Sequence, residues 1–290
     1  MANVLLVGTA TLDLVFRLDH HPRENEEMRA QHLRVCRGGN AANTAVVLAQ
    51  LGHRCTFFGV LADAPETAII EQDFSRHGVD FTACPRLPGR PPISSIYLSG
   101  AARTIVHYRD LPELEARQFS ILDLSPYDWV HFEGRNVPEL HRMLEQVRKQ
   151  RPGIPLSLEL EKPRAGIDDV LAFPTLLICA QGYARHCGHE RPAGFLAWRQ
   201  RAAYHADVVV AWGEDGAYAR SHQGHESHSP AYPPPAGVVD TLGAGDTFNA
   251  GLIGALADGA GLPEALDAAC RLAGAKCGVE GYTFPEARRP

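Results

Sequence analysis

Asp240-Thr241-Leu242-Gly243-Ala244-Gly245-Asp246 runs directly into an apolar stretch from Thr247 to Leu256. A helix beginning here leaves its first N–H groups unpaired, and glycines let an anion approach that backbone closely. Asp246 sits on the first turn, where a carboxylate can take a proton from an attacking hydroxyl while the amides hold a transferring phosphoryl group. Asn249 follows about one helical turn later on the same face. The pattern predicts phosphoryl transfer to an alcohol, with Asp246 as base and Gly243, Ala244 and Gly245 as the anion hole. It is not a P-loop, for it lacks Gly-Lys-Ser/Thr at the required spacing. It is not a dinucleotide fingerprint either, because it lies far from an opening βα unit.

Working outward, Val4 to Val7 is an apolar run ending at Gly8, the pattern of a strand buried on both faces. Thr11 to Asp19 instead alternates Leu12, Leu14, Phe16 and Leu18 with polar residues, a half-buried strand of a second, smaller sheet. The β-rich runs Ile93 to Leu98 and Thr104 to Tyr108, turning at Gly100-Ala101, are its expected partners. Helices are predicted over Ala41 to Leu51, Glu66 to His77 and Val137 to Gln150, and further strands over Arg54 to Val60, Asp128 to Phe132, Leu156 to Leu160, Thr175 to Cys179 and Val208 to Trp212. Such alternation implies an α/β fold with a mainly parallel central sheet flanked by helices on both faces. We read residues 1–290 as one domain, with a small β-sheet lid formed by about 11–36 and 90–108. Ligands of such sheets gather at the C-terminal strand ends, where Gly8, Phe132-Glu133-Gly134, Glu159-Leu160-Glu161 and Trp212-Gly213 fall.

A chain of 290 residues, 45% hydrophobic, can bury one large core. The formal charge of −6 and scattered basic residues argue against nucleic acid and membrane surfaces as partners. The start of the chain carries no signal-peptide pattern and no run is apolar enough to span a bilayer, so a cytoplasmic location is expected. Seven cysteines without CxxC spacing fit reduced thiols.

An acceptor site is needed beside the phosphate site. Asp13 is a carboxylate on an otherwise apolar strand and can accept two hydroxyl protons. Gly38-Gly39-Asn40 places a second glycine pair before a helix, and Asn40 and Asn43 share one face of it, two amides suited to a polyol. Arg103, in the lid hairpin, can steady phosphate charge on closure. Trp212-Gly213-Glu214-Asp215-Gly216 ends a buried strand with glycines that admit a flat purine, and Cys277 can line the same slot.

Together, Gly38 to Asn43 and Asp240 to Asp246 resemble the two signature regions of the ribokinase-like, or PfkB, carbohydrate kinases. His131 to Asn136, Glu159 to Arg164, Ala211 to Ala217 and Ala273 to Gly278 are similar to the ketohexokinase branch of that family. The resemblance spans essentially the whole chain. It implies a ribokinase-like fold, a small ketose such as fructose as acceptor, and ATP as donor. Asp246 would then be the base, Asp13, Gly39, Asn40, Asn43 and Arg103 would hold the sugar, and Trp212 to Gly216 with Cys277 the nucleotide. It implies Mg2+ on the nucleotide phosphates, held mostly through water with Glu161 the nearest carboxylate, and leaves K+ open. It also implies a homodimer paired through the lid sheets, the apolar face of Leu12, Leu14, Phe16 and Leu18 giving the reason. Ala180-Gln181-Gly182-Tyr183 replaces the Asn-x-x-Glu of many members, with Gln181 where the branch has a lysine. Asn25 stands where the branch has an acid that a neighbouring subunit directs at the sugar.

Overall fold

The computed structural model describes residues 1–100 and 102–282, so Ala101 of the expected lid turn lies outside the described residues. The chain opens with β1 (Asn3–Val7), β2 (Thr11–Arg17), β3 (His32–Gly38), α1 (Asn40–Gln50), β4 (Arg54–Phe58), β5 (Leu61–Ala62), α2 (Thr67–Arg76) and β6 (Arg86–Leu87). Next come β7 (Ile93–Ser99), β8 (Ala102–Tyr108), α3 (Ala116–Phe119), β9 (Trp129–Glu133), α4 (Val137–Gln150), β10 (Leu156–Leu160) and β11 (Leu176–Ala180). It continues through α5 (Gln181–His186), α6 (Pro192–Ala202), β12 (Asp207–Ala211), β13 (Ala217–Arg220), β14 (Glu226–Ser229), α7 (Ala244–Ala257) and α8 (Leu262–Cys277).

Eight strands form the main sheet in the order β14-β13-β12-β11-β10-β9-β1-β4. The six from β12 to β4 are parallel, and β13 and β14 extend the sheet antiparallel. Val4 and Leu6 pack into one apolar cluster and Leu5 and Val7 into the other, which is why β1 lacks polar alternation. On the first side lie α1, α2, α7 and α8; α4, α5 and α6 cover the second. Helix α4 shows how the second layer is held: Leu140, Met143, Leu144 and Val147 form its buried stripe. Burying each such side chain stabilises the fold by roughly 1.5–3 kcal/mol before entropy is counted.

A four-stranded lid has the order β3-β2-β7-β8. Its registers pair Leu14 with Val35 and Ser95, and Phe16 with Leu33 and Tyr97, so these residues share one face. Asp13, paired with Cys36 and Ser94, lies on the other. The expected open apolar stripe is corrected here, for Leu12 and Leu18 are both 6% exposed. Leu14 and Phe16 remain half-open, and the exposed residues beside them are Leu33, Val35, Val106 and Tyr108. Leu12 lies near the start of β2 and Leu18 just past its end, where their amides donate to Pro92 O (2.8 Å) and Leu98 O (2.9 Å) of the adjoining chain segment. No helix among the described residues is long and apolar enough to cross a membrane.

Candidate active site

Helix α7 begins from Gly243, whose φ of 79° places it in the left-handed region that glycine tolerates. Among the described residues, the amides of Gly243, Gly245 and Asp246 have no protein acceptor, while Ala244 donates to Thr241 O (3.2 Å) and Thr247 to Gly243 O (3.0 Å). Three unpaired N–H groups at a helix N-terminus make an anion nest. Space beside Gly245 is open, since a Cβ there would meet nothing within 4 Å.

Asp246 emerges from this turn into a crowd of acids. Asn43 Nδ2 donates to its Oδ2 at 2.6 Å, and the Tyr282 hydroxyl donates to the same oxygen at 3.3 Å. The orientation of Asn43 is set from behind. Arg37 donates to Asn43 Oδ1 and, through Nε, to Asp73 (2.7 Å), so the amide must turn its NH2 toward Asp246. Burial, with Glu161 and Glu133 nearby, pushes the Asp246 carboxyl up to about 7, against the Asn43 and Tyr282 hydrogen bonds that pull it down.

Glu159 stands at the end of β10. Its Oε1 accepts from Asn40 (3.1 Å) and Asn249 (3.0 Å), whereas its buried Oε2 has no partner among the described residues. Burial, then the charges of Asp246, Glu133 and Glu161, hold its carboxyl well above the ordinary range. Asn40 also reaches Glu161 at 3.4 Å. Gly39 occupies the N-cap of α1 with φ 97°, and the Asn40 side chain reaches across the cleft instead of capping the helix. A Cβ on Gly39 would come within 2.1 Å of Thr9 O, so only glycine lets the start of α1 approach the link between β1 and β2 this closely. Glu133 has a scaffolding position: its Oε1 accepts from Thr9 N (3.0 Å) and Ala41 N (2.7 Å), and Oε2 pairs with Arg135. Asn40, Glu133, Arg135, Glu159, Glu161 and Lys162 line a polar recess at these strand ends.

The lid contributes from above. Asp13 is 7% exposed and accepts from Thr11 Oγ1 at 2.6 Å. Its carboxyl is raised by burial, against hydrogen bonds from Thr11 and Ser94 and the nearby Arg37 and Arg34. Two arginines reach from the lid to the nest loop: Arg34 pairs with Asp240 at 3.2 Å and Arg103 donates to Thr241 O at 3.4 Å. Asp240 is a hub. It accepts from Leu242 N (2.8 Å) and Gly281 N (3.4 Å) and faces the fully buried Lys276 ammonium, which also donates to Asp240 O at 2.8 Å. Burial alone would raise its carboxyl, but Lys276, the two amides and Arg34 outweigh it and hold Asp240 below the usual value.

The structure therefore brings Asp246, Asn43, Asn40 and Glu161 into one cleft with Asp13 and Arg103 on its lid side. Trp212 to Gly216 lie at the end of β12, with Gly213 to Asp215 in a short 3-10 turn, and no hydrogen bond links them to the Asp246 cluster among the described residues. Cys277 ends α8, and its carbonyl accepts from Val239 and Asp240, tying that helix to the nest loop. Asn25 stands apart in the exposed link between β2 and β3, with φ 60°. Arg34, Arg37, Lys276 and Tyr282 escaped the sequence reading. Only the place of Arg37, just before Gly38-Gly39, offered a signal.

Glycine-nested amides at a helix start, a buried carboxylate on the same turn and a small lid sheet thus meet at one cleft. Residues 1–288 match the pfkB family carbohydrate kinase pattern. The chain belongs to the pfkB family of carbohydrate kinases. Members transfer a phosphoryl group to a sugar hydroxyl, and this pfkB chain is such a phosphotransferase. It is 37% identical to the ketohexokinase of Mus musculus, the match covering 96% of this chain and 97% of that one. It is 29% identical to the aminoimidazole riboside kinase of Salmonella typhimurium, over 87% and 80% of the two chains. Among solved structures, Arabidopsis thaliana ribokinase complexed with ribose and ATP superposes with a TM-score of 0.80 at 21% identity, covering 97% of this chain and 94% of that one. Thermotoga maritima ribokinase gives 0.79 at 19%, over 97% and 95%. The pfkB chain thus has the ribokinase-like fold, a large mostly parallel sheet with helices and a separate small sheet.

Proposed function

We propose that this pfkB chain, acting as one kinase domain with its lid, phosphorylates a small ketose from ATP, fructose to fructose 1-phosphate first among the candidates. One observation carries the reaction: a buried carboxylate, Asp246, stands on the same turn as three helix-end amides without an acceptor among the described residues. In this reading the acceptor hydroxyl gives its proton to Asp246 as its oxygen bonds to the γ-phosphorus, and the bond from that phosphorus to the bridging oxygen of ADP breaks. The amides of Gly243, Gly245 and Asp246 meet the charge growing on the phosphoryl oxygens. Asp13, Gly39, Asn40 and Asn43 hold the sugar, and Arg103 steadies the phosphate from the lid. ATP as donor is supported by the ligands of the Arabidopsis ribokinase complex, and Trp212 to Gly216 with Cys277 are the purine side. The ketose is supported by the identity to the mouse ketohexokinase.

A magnesium ion on the nucleotide fits the polar recess. Among the described residues the buried Glu159 Oε2 has no partner, and Asn40 bridges Glu159 to Glu161, a donor set that would hold the ion's water shell. When bound, that ion offsets phosphate charge. A cytoplasmic location and pairing of two chains through the lids complete the reading, with K+ left open. Exposed Leu33, Val35, Val106 and Tyr108 support the pairing, because an open apolar sheet face is stabilised by a partner sheet.

Coupled ADP release across ketoses, aldoses and nucleosides, with the product identified by NMR, tests the assignment. Fructose is expected to give the highest kcat/KM. A clear preference for ribose or a nucleoside would move the substrate class, and binding of sugar and ATP without ADP release would make the chain a sensor.

A further inference from the structure

Resting on the kinase reading, we infer that Tyr282 is a positioning residue for the base: its phenol, with Asn43, holds Asp246 Oδ2 so that Oδ1 faces the acceptor hydroxyl. Three observations converge on this phenol. Its hydroxyl lies 3.3 Å from Asp246 Oδ2, the oxygen that Asn43 already engages at 2.6 Å. A Cβ at Gly243 would come within 1.8 Å of the Tyr282 hydroxyl, so the nest glycine and the phenol are fitted to each other. Two cations lie on the ring, the Arg37 guanidinium 5.3 Å and the Lys276 ammonium 5.9 Å from its centroid, and Gln50 holds the backbone by donating to the Tyr282 carbonyl at 2.7 Å.

Two donors on one carboxylate oxygen do two things. They fix the plane of the carboxylate, and they favour its ionised form. That second effect matters because nearly everything else around Asp246 opposes ionisation. Glu133 faces it from β9, Glu159 and Glu161 from the end of β10, and Asp13 is the lid carboxylate nearest the phenol. Arg37, at the end of β3, brings a positive charge that acts through Asn43. Burial, followed by the Asp246 charge, keeps the phenol protonated far above its ordinary range, so it remains a donor at every working pH.

Tyr282→Phe keeps the ring, its cation contact and the packing, and removes only the hydroxyl. Fructose turnover of wild type and Y282F measured from pH 5.5 to 9 should show the acid limb of kcat/KM displaced upward in the variant. Its deficit should be about 5-fold near pH 6 and shrink to about 2-fold above pH 8. A ring acting only as packing would leave the two profiles superimposed, which overturns the inference. Faster turnover by Y282F at all pH values, with a lower sugar KM, would overturn it too, since the phenol would then be an obstruction in the acceptor position. A second readout is independent of turnover: the Asp246 carboxyl titration followed by carbon-13 NMR in the full chain. Its midpoint should rise in Y282F, and an unchanged midpoint rejects the role of Tyr282 even if no sugar proves to be a substrate.

Discussion

The two ends of the nest loop carry the same residue in opposite states. Asp240 and Asp246 are both buried aspartates, 4% and 9% exposed, yet the first is held below its ordinary pKa and the second is pushed up to about 7. Burial acts on both in the same direction, so it does not separate them. Their partners do. Asp240 faces an ammonium, a guanidinium and two backbone amides, whereas Asp246 faces two neutral donors and several carboxylates. An anion paired with cations is a poor proton acceptor and a good brace. One kept among acids in a desolvated cleft can exchange a proton near neutrality.

The sharpest way to break this contrast is Asp246→Asn. If the raised aspartate is the base, kcat should fall by ~10²–10⁴-fold while nucleotide affinity, measured by calorimetry, stays within a few-fold. Near wild-type turnover would remove the assigned role. The next effect concerns the brace. Lys276→Met leaves the buried Asp240 carboxylate with Arg34 and two backbone amides but without its buried cation, and chemical denaturation should register a loss of about 3 kcal/mol. A loss below about 1 kcal/mol would mean that the ammonium does not hold the loop.

The smallest effect is in the pH dependence of stability, and the two aspartates should give opposite signs. Asp246 has a folded value of about 7 against an ordinary 3.8. The folded state therefore binds its proton more tightly, so this group's contribution is complete below about pH 4 and is lost as pH rises through about 7. Asp246→Asn should accordingly raise Tm relative to wild type at pH 8, with the difference vanishing near pH 4. Asp240, depressed in the fold, contributes above about pH 4 and loses that contribution as pH falls through its folded value. Asp240→Asn should lower Tm at pH 8 and matter least at pH 3. Tm shifts of the same sign in both variants would erase the distinction.

Much of the architecture was readable before folding because hydrophobic periodicity is a local property. The apolar run at Val4 to Val7, the helix expected over Ala41 to Leu51 and observed at Asn40–Gln50, and the helix Val137–Gln150 follow from spacing and glycine stops. The small helices α5 and α6 were missed; Gly182 and Gly194 weaken their periodicity, and packing against the second sheet face sets them instead. In the lid, alternation gave the two faces of β2 correctly but not their exposure. The neighbours that bury Leu12 and Leu18 come from other parts of the chain.

The residues themselves dictated an anion nest beside an acid, since glycines, an unpaired helix start and Asp246 are consecutive and their geometry is short-range. Position on the first helical turn singled out Asp246 over Asp240 as the base, but the residues could not dictate the opposite charge environments of the two. Those environments depend on Lys276, Arg34, Asn43, Tyr282 and the strand-end glutamates, which are distant along the chain and meet only when the sheet, the last two helices and the lid close around one cleft. Electrostatic interaction depends on distance in space and on the water excluded between groups, and only the folded chain sets both.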